Sequence, residues 1–504
     1  MAPIQQTFFE VIILLAGLWL LSKGVRILRR PAKTTRLKGP ESKSLVFGNS
    51  RFLSSQQDVA PVLEEWAERY EAMFRIPEVL GRTTIILCDP KAIQHFYSKE
   101  TYVYVHDALG KALTADILAS VFFDSAYMVK EAWDSILDSS ENGEAVIDVQ
   151  DWMNHVALDS VGIGGFSHDF GTLRGECSTI AEIFDSFGKL KPTVLQILLL
   201  VLSTAFPVLT HLRPSKSLVR KFKLAAEEIS MELLQKARKE KEGIVEGKED
   251  HSIIGLLVKA ASDDSELHMS EDEVIAQMKV LILAGYETIS ISLTWALIEL
   301  SKNQSFQTTL REELVAHYSK GGDPTYDQLT NDLPYLDAVV HEVLRLHAPL
   351  WQTNRVAAED DIIPLSVPIQ TADDKTVDRV SIAAGQAITV PIRTVNRSIS
   401  IWGADAKEFK PQRWLEEGGI QEKAVEIRGY RHLLTFVDGP RTCLGKGFAL
   451  TEFKATLSVL VRNYTFELRD GPDTEFEMGK TILPRPKVSG EDGCRMPLRI
   501  RRVD

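Results

Sequence analysis

Between Ser270 and Lys302 the chain holds one unbroken helical stretch, and its length limits the fold more than any other feature. Ser270-Glu-Asp-Glu273 is a capping box, in which the serine oxygen and the glutamate reciprocally satisfy the first free amides. No proline or charge cluster follows until Lys302, which predicts about 32 residues of helix, roughly 48 Å at 1.5 Å per residue. A helix of that length must cross the whole body of a globular domain. Its middle, Ala284-Gly285-Tyr286-Glu287-Thr288, sets a glycine, an acid and a hydroxyl into an otherwise apolar run. Glycine costs about 1 kcal/mol against alanine in a helix interior, and a buried glutamate costs more unless it is paired. Concessions of this kind are expected at functional sites. Thr288 bonding back to a carbonyl one turn earlier is the plain structural alternative.

The second feature is the run Phe436-Val-Asp-Gly439-Pro-Arg441-Thr-Cys443-Leu-Gly445-Lys-Gly-Phe-Ala449. A thiolate stays anionic only if donors point at the sulfur, and a glycine-bounded turn followed by a helix N-terminus supplies them. Gly439 and Gly445 allow close backbone approach, Arg441 places a fixed cation beside the turn, and Phe436 offers a flat apolar wall. Gly445 to Leu457 reads as a helix. A third segment, Pro334 to Leu346, reads as a helix with proline in its first turn, carrying Glu342 and Arg345 one turn apart among Val339, Val343, Leu344 and Leu346. A buried pair needs further partners, and Arg413 in Phe409-Lys-Pro-Gln-Arg413-Trp414 is the obvious third member.

The pattern Phe-x-x-Gly-x-Arg-x-Cys-x-Gly, with Ala449 four residues beyond Gly445, resembles the haem-binding signature of the cytochrome P-450 family. Matches run from the N-terminus to about Pro486. The resemblance implies a mainly α fold with small β-sheets, formed by a single catalytic domain behind an N-terminal transmembrane helix. It implies heme b, iron protoporphyrin IX, with Cys443 as the proximal iron ligand, a ligation that favours cleavage of the dioxygen bond. Phe436, Gly439, Arg441 and Gly445 then shape the cofactor's bed. The segment Ala284 to Thr288 lies against its far face, where Gly285 opens a groove for oxygen, Thr288 hydrogen-bonds the bound O2 and Glu287 relays protons from solvent. Glu342, Arg345 and Arg413 match the family's structural triad, which holds the cysteine loop and takes no part in the chemistry. Arg355 falls where relatives place an arginine on a haem propionate, and its planar fork suits a carboxylate. The implied reaction is insertion of one oxygen atom into a hydrophobic small molecule, a secondary metabolite, terpenoid or lipid, with electrons from NADPH through a separate cytochrome reductase. The chain shows no Gly-rich nucleotide fingerprint of its own.

From Ala2 to Ser22 the only charge is Glu10, and Val11 to Leu21 is strongly apolar. Residues 1–30 therefore read as a membrane anchor with its basic flank, since a span needs roughly 20 residues. Lys23, Arg26, Arg29, Arg30, Lys33, Arg36 and Lys38 follow at once, an arrangement that leaves the body in the cytosol. A cleaved signal peptide would carry its positive charges before the apolar run. The expectation is a single-pass protein of the endoplasmic reticulum membrane, with residues 31–50 as a proline–glycine hinge and 51–504 as the catalytic domain. A net charge of −12 argues against nucleic acid as a partner. Four cysteines without a C-x-x-C pair suggest neither a disulfide framework nor a thiolate zinc site.

Other stretches are less specific. Val62 to Tyr70 and Pro90 to Tyr97 read as helices, Thr83 to Cys88 as a short buried strand, and Asp151 to Phe166 as a buried helix packed on the central one. Val194 to Leu209 reads either as a core helix or as a membrane-dipping lid, and Lys236 to Asp250 as a solvated charge run. Relatives carry a Trp-x-x-x-Arg segment whose two side chains contact the propionates. Here about twenty residues are missing between Asp116 and Phe122 by comparison with that pattern, and the nearest tryptophan, Trp133, has no arginine four residues on. That gap motivates the alternative of a non-catalytic, haem-poor protein retaining the fold.

Overall fold

The computed structural model describes residues 34–44, 46–98, 116–176, 224, 227–235, 269–479, 481 and 483–503. The anchor, the 194–209 run and the 236–250 charge run lie outside them. The described chain is mostly helical with four small sheets. It divides into two compact units, residues 1–99 with 351–395, and residues 100–350 with 396–504.

The first unit is built on a four-stranded sheet in the order Met73–Pro77, Thr83–Leu87, Ala387–Val390, Thr353–Val356. Only the middle pairing is parallel. Ile85, Ile86 and Leu87 are buried together, as the apolar run predicts for a strand covered on both faces. Asp89 ends that strand and caps the helix Pro90–Ser98, accepting from the Ala92 amide at 2.9 Å and the Ser366 amide at 3.0 Å. The hinge is not a free tether over its described part. The Thr35 amide donates to Ser381 O at 3.0 Å, the Arg75 amide to Lys38 O at 3.0 Å, and the Asn49 amide to Pro77 O at 2.8 Å. Backbone groups that would otherwise be left open on the sheet account for this docking.

In the second unit the capping box forms as read, and the central helix spans Glu271–Lys302, 32 residues. From Ile289 to Ser301 every side chain is buried, so this half is enclosed on all sides rather than amphipathic. Helix Val149–Phe166 packs along it. Helix Lys446–Asn463 packs on Asp116–Asp138. Three antiparallel strands, Glu144–Asp148, Pro497–Arg502 and Tyr464–Leu468, and the hairpin Phe476–Gly479 with Arg485–Val488 complete the unit.

Residues 116–122, where the sequence pattern is short, are the first two turns of an unbroken 23-residue helix, Asp116–Asp138. Leu118, Phe122, Ala126, Val129, Trp133 and Leu137 are all buried at spacings of three and four, which is the reason a helix forms there. Trp133 is fully buried in an aromatic cluster with Tyr464 at 5.5 Å and Phe466 at 6.2 Å, a core position. Among the described residues the central helix is the one stretch long and apolar enough to cross a membrane, and it is largely buried within the protein.

Candidate functional site

The Cys443 loop is held by backbone geometry before any side chain acts. The Cys443 amide donates to Phe436 O at 2.8 Å, and the Thr442 amide to Gly439 O at 3.0 Å, closing a turn over Gly439–Arg441. Gly439 sits at φ +70°, which glycine adopts without a Cβ clash. Val437 sits at φ 62°, a strained setting for a β-branched residue. The Gly445 amide donates to the Cys443 sulfur, and helix Lys446–Asn463 begins at the next residue. Cys443 is an exposed residue, although protein atoms crowd around its thiol. That burial pushes the thiol pKa up, and the Gly445 amide and the Lys446 charge pull the other way. An accessible sulfur backed by a donor and a cation suits a thiolate ligand for haem iron, so the residues fit the implied cofactor. Phe436 is buried, with Tyr430 edge-on at 6.0 Å, while the Arg441 side chain is exposed.

Beneath the loop, the expected triad assembles with more members than the sequence suggests. Glu342 and Arg345 are fully buried and Arg413 nearly so. Arg345 meets Glu342 in a fork, Nε to Oε2 and Nη2 to Oε1, both 2.8 Å. Arg413 Nε reaches Glu342 Oε1 at 3.5 Å, Trp414 Nε1 donates to Oε2 at 3.0 Å and the Lys410 amide donates to Oε1 at 3.0 Å. Arg345 also donates to Asn396 O at 2.9 Å and to Ala406 O. Asp405 accepts from Arg413 Nη1 at 2.9 Å; burial works to raise its pKa, and Arg413 with Lys410 outweigh it and hold it low. Asn396 passes the support upward, its amide donating to Thr435 Oγ1 at 2.9 Å and its carbonyl accepting from the Leu434 amide at 3.1 Å. Thr435 and Leu434 immediately precede the cysteine turn, so the triad reaches Cys443 through Asn396.

In the central helix, Ala284 is exposed and Thr288 partly so, one turn apart on the same face, where the exposed N-terminal part of the helix gives way to its buried half. Thr288 Oγ1 donates to Ala284 O at 2.7 Å, the back-bonded arrangement named above as the plain structural alternative. Gly285 lies against helix Val149–Phe166. A Cβ there would come 2.5 Å from Val161 Cγ2, so close helix packing demands glycine at this position. Glu287 is buried and does not share that face. Arg485 Nη2 donates to its Oε1 at 2.7 Å. Burial works against the Arg485 charge, and Tyr286 and Glu287 outweigh it, raising its pKa. Arg485 was not among the residues singled out from sequence. The available signal was the acid itself, since a carboxylate predicted inside a buried helix requires a cation, but 198 positions separate the two.

Arg355, in the first unit, lies on strand Thr353–Val356 with its guanidinium over the rings of Phe96 at 4.5 Å and Tyr97 at 5.0 Å, and Nη1 donates to Phe96 O at 3.3 Å. Those contacts hold the fork in place.

Comparison with known proteins gives a consistent picture. The cytochrome P450 family model matches residues 108–489. Cytochrome P450 monooxygenase claQ of Ampulloclitocybe clavipes is 52% identical, with all of both chains covered. Cytochrome P450 monooxygenase claP of the same organism is 51% identical over the same extent. Cytochrome P450 monooxygenase 205 of Postia placenta is 29% identical over 92% of each chain. The alignment with claQ runs over 539 positions against the 504 residues of this chain, so at least 35 positions, 539 less 504, stand opposite a gap here.

Proposed function

The chain belongs to the cytochrome P450 family and is a haem-dependent monooxygenase, and from that membership we propose that it inserts one oxygen atom of O2 into a hydrophobic secondary metabolite, terpenoid or lipid-like molecule. The observation that carries this reading is the exposed Cys443, backed by the Gly445 amide, in the same compact unit as the exposed Ala284 and the half-buried Thr288 of the central helix. Haem bound through Cys443 supplies the activation of dioxygen. The protein's own part is to hold that sulfur fixed and to offset part of the cost of burying its charge. The Gly445 amide and Lys446 stabilise the negative charge, and the Glu342 cluster acting through Asn396 stops the loop from relaxing. Thr288 supplies the hydroxyl beside the bound oxygen, and Glu287 supplies protons drawn from solvent.

Electrons come from NADPH through a separate flavoprotein reductase. Residues 1–30 anchor the chain in the endoplasmic reticulum membrane with the body facing the cytosol, a reading supported by the apolar run and the basic residues after it. A microsomal preparation supplied with NADPH, the reductase, isotopically labelled dioxygen and a hydrophobic metabolite library tests this. One labelled oxygen atom in a product supports the reading, and a preparation with a thiolate-type carbon monoxide complex but no labelled product removes it. The second reading, a haem-poor protein retaining the fold, is favoured by the gap of at least 35 positions against claQ. Failure of the purified chain to take up haem would establish it.

A further inference from the structure

The first unit holds a cleft of about 780 Å³ that the reaction described above does not use. Its walls include the hinge residues Thr34 to Leu37, Arg75 on strand Met73–Pro77, Arg82 just before strand Thr83–Leu87, and Val356. Backbone pairing makes the hinge a fixed wall. The Ala372 amide donates to Arg36 O at 2.7 Å, and Leu37 is buried and bridged to Thr371. The Ser381 amide donates to Thr35 Oγ1 at 2.9 Å and the Ala383 amide to Thr34 Oγ1 at 3.1 Å, so each hydroxyl accepts and keeps its own proton to donate.

Arg36, Arg75 and Arg82 are all exposed on this cleft. Arg75 Nε donates to Leu37 O at 3.0 Å, which fixes the plane of its fork. Neither terminal nitrogen of Arg75, nor any side-chain nitrogen of Arg36, has a partner among the described residues. Exposed arginines elsewhere on this acidic chain, Arg174, Arg379 and Arg502 among them, sit on carboxylates. Of the two acids that border the cleft, Asp373 is matched by Lys375 at 3.2 Å, and Glu78 opposes an anion. Three guanidinium groups against one unmatched carboxylate leave a positive surplus, and forks beside hydroxyl donors are the chemistry that recognises phosphate. Apolar surface stands next to it. Val356 is 65% exposed at the cleft, and Ile362 and Val367 are exposed on strand Asp361–Gln370.

We propose that this cleft takes the headgroup phosphate of an anionic phospholipid, drawn from the membrane that holds residues 1–30, and so fixes the orientation of the first unit on the bilayer. The inference rests on the anchor reading above. Thr34 stands four positions after residue 30, and four residues span at most about 14 Å, which keeps the cleft within reach of the headgroup layer. A net charge of −12 repels an anionic leaflet as a whole, so attraction has to come from a local group of cations. A second attachment so close to the first acts at high effective concentration. Arg36 and Arg75 hold the phosphate oxygens, Thr34 and Thr35 donate to them, and Val356 meets the glycerol and the first acyl carbons.

Full-length, haem-loaded protein placed in nanodiscs of equal parts phosphatidylserine and phosphatidylcholine provides the test, with the lipid retained on the released chain read by native mass spectrometry. Phosphatidylserine is expected to be retained in preference to phosphatidylcholine. Arg36→Gln/Arg75→Gln is expected to lose that retention about tenfold or more, with the reduced carbon monoxide spectrum and thermal midpoint of the parent. Arg36→Gln alone breaks no hydrogen bond of the fold, and lowers retention even where the double variant folds poorly. Arg51→Gln/Lys320→Gln removes the same charge from exposed positions outside the cleft and keeps the lipid. Equal retention of the two lipids by the parent, or equal losses in the two double variants, reduces the effect to net charge and overturns the proposal. Displacement of the lipid by millimolar inorganic phosphate assigns the cleft to free phosphate, and overturns it too. Alkaline carbonate washing of vesicles tests the anchor separately: a parent chain released by the wash lacks the anchor, while its retention of phosphatidylserine still reports on the cleft.

Discussion

At Glu342, two guanidinium groups, an indole and a backbone amide converge on a single carboxylate with no water-facing surface. Burying that charge is tolerable only because every partner is present, so removing one should cost far more than the pair itself contributes. Glu342→Gln is expected to lose about 3–5 kcal/mol in urea unfolding and to purify with little haem. Cys443→Ser should behave oppositely: an unfolding midpoint close to the parent's, but no thiolate-type band in the reduced carbon monoxide spectrum. Gly285 separates packing from chemistry in another way. Alanine there must push Val161 aside from 2.5 Å, and about 1–3 kcal/mol of destabilisation in thermal melts is expected, as for an overpacked core. The identities of Cys443, Glu342 and Arg345 were legible because local spacing carries them. The role of Gly285 in helix packing was not, because Val161 lies more than a hundred residues earlier in the chain.

The elements that could be read in advance were those whose signals are local. The capping box and the absence of proline fixed both ends of helix Glu271–Lys302, and Pro334 fixed the start of Pro334–Leu346. Between these two helices the structure adds a contact that their sequences do not announce. His347, just past the second helix, stacks on Trp295 of the first at 3.8 Å and 9°, and its Nε2 lies 3.0 Å from Glu299 Oε1. Burial works to raise the Glu299 pKa, and His347 with Lys302 outweighs it, lowering the value from 4.5 to about 2. A carboxylate more acidic in the folded than in the unfolded chain stabilises fully above pH 4.5 and loses that contribution as pH falls toward 2. Urea unfolding of Glu299→Gln should therefore lack part of the acid-side decline that the parent shows across that window, a difference of order 3 kcal/mol at most. Parallel acid limbs in the two proteins would exclude this pair as a source of acid sensitivity.

At the scale of the molecule, the alignment with claQ leaves at least 35 positions opposite a gap in this chain. The helix beginning at Asp116 runs on without a break, and its buried stripe is complete from Leu118 onward, so the shortfall does not disturb that packing. Its effect is expected on cofactor retention instead, because the Trp-x-x-x-Arg segment expected from the family resemblance is absent from residues 116–138. Haem per chain, measured on this protein and claQ purified side by side, should be lower here; equal occupancy would show that another group makes the contact.

Read alone, the sequence determined the parts whose physics is local: the helix that spans the second unit, the turn and amide donor behind Cys443, and the charged pair one turn apart on Pro334–Leu346. Their spacing, caps and turn residues act over a few positions. Tertiary structure decided what long-range contact alone can set. It docked the supposed hinge onto the first unit's sheet, placed Trp133 in an aromatic core, and extended the triad through Asn396 to the cysteine loop. It also turned Glu287 away from Thr288 onto Arg485. A buried charge requires a partner, but nothing in the composition of either segment says which of the chain's basic residues the fold brings to it.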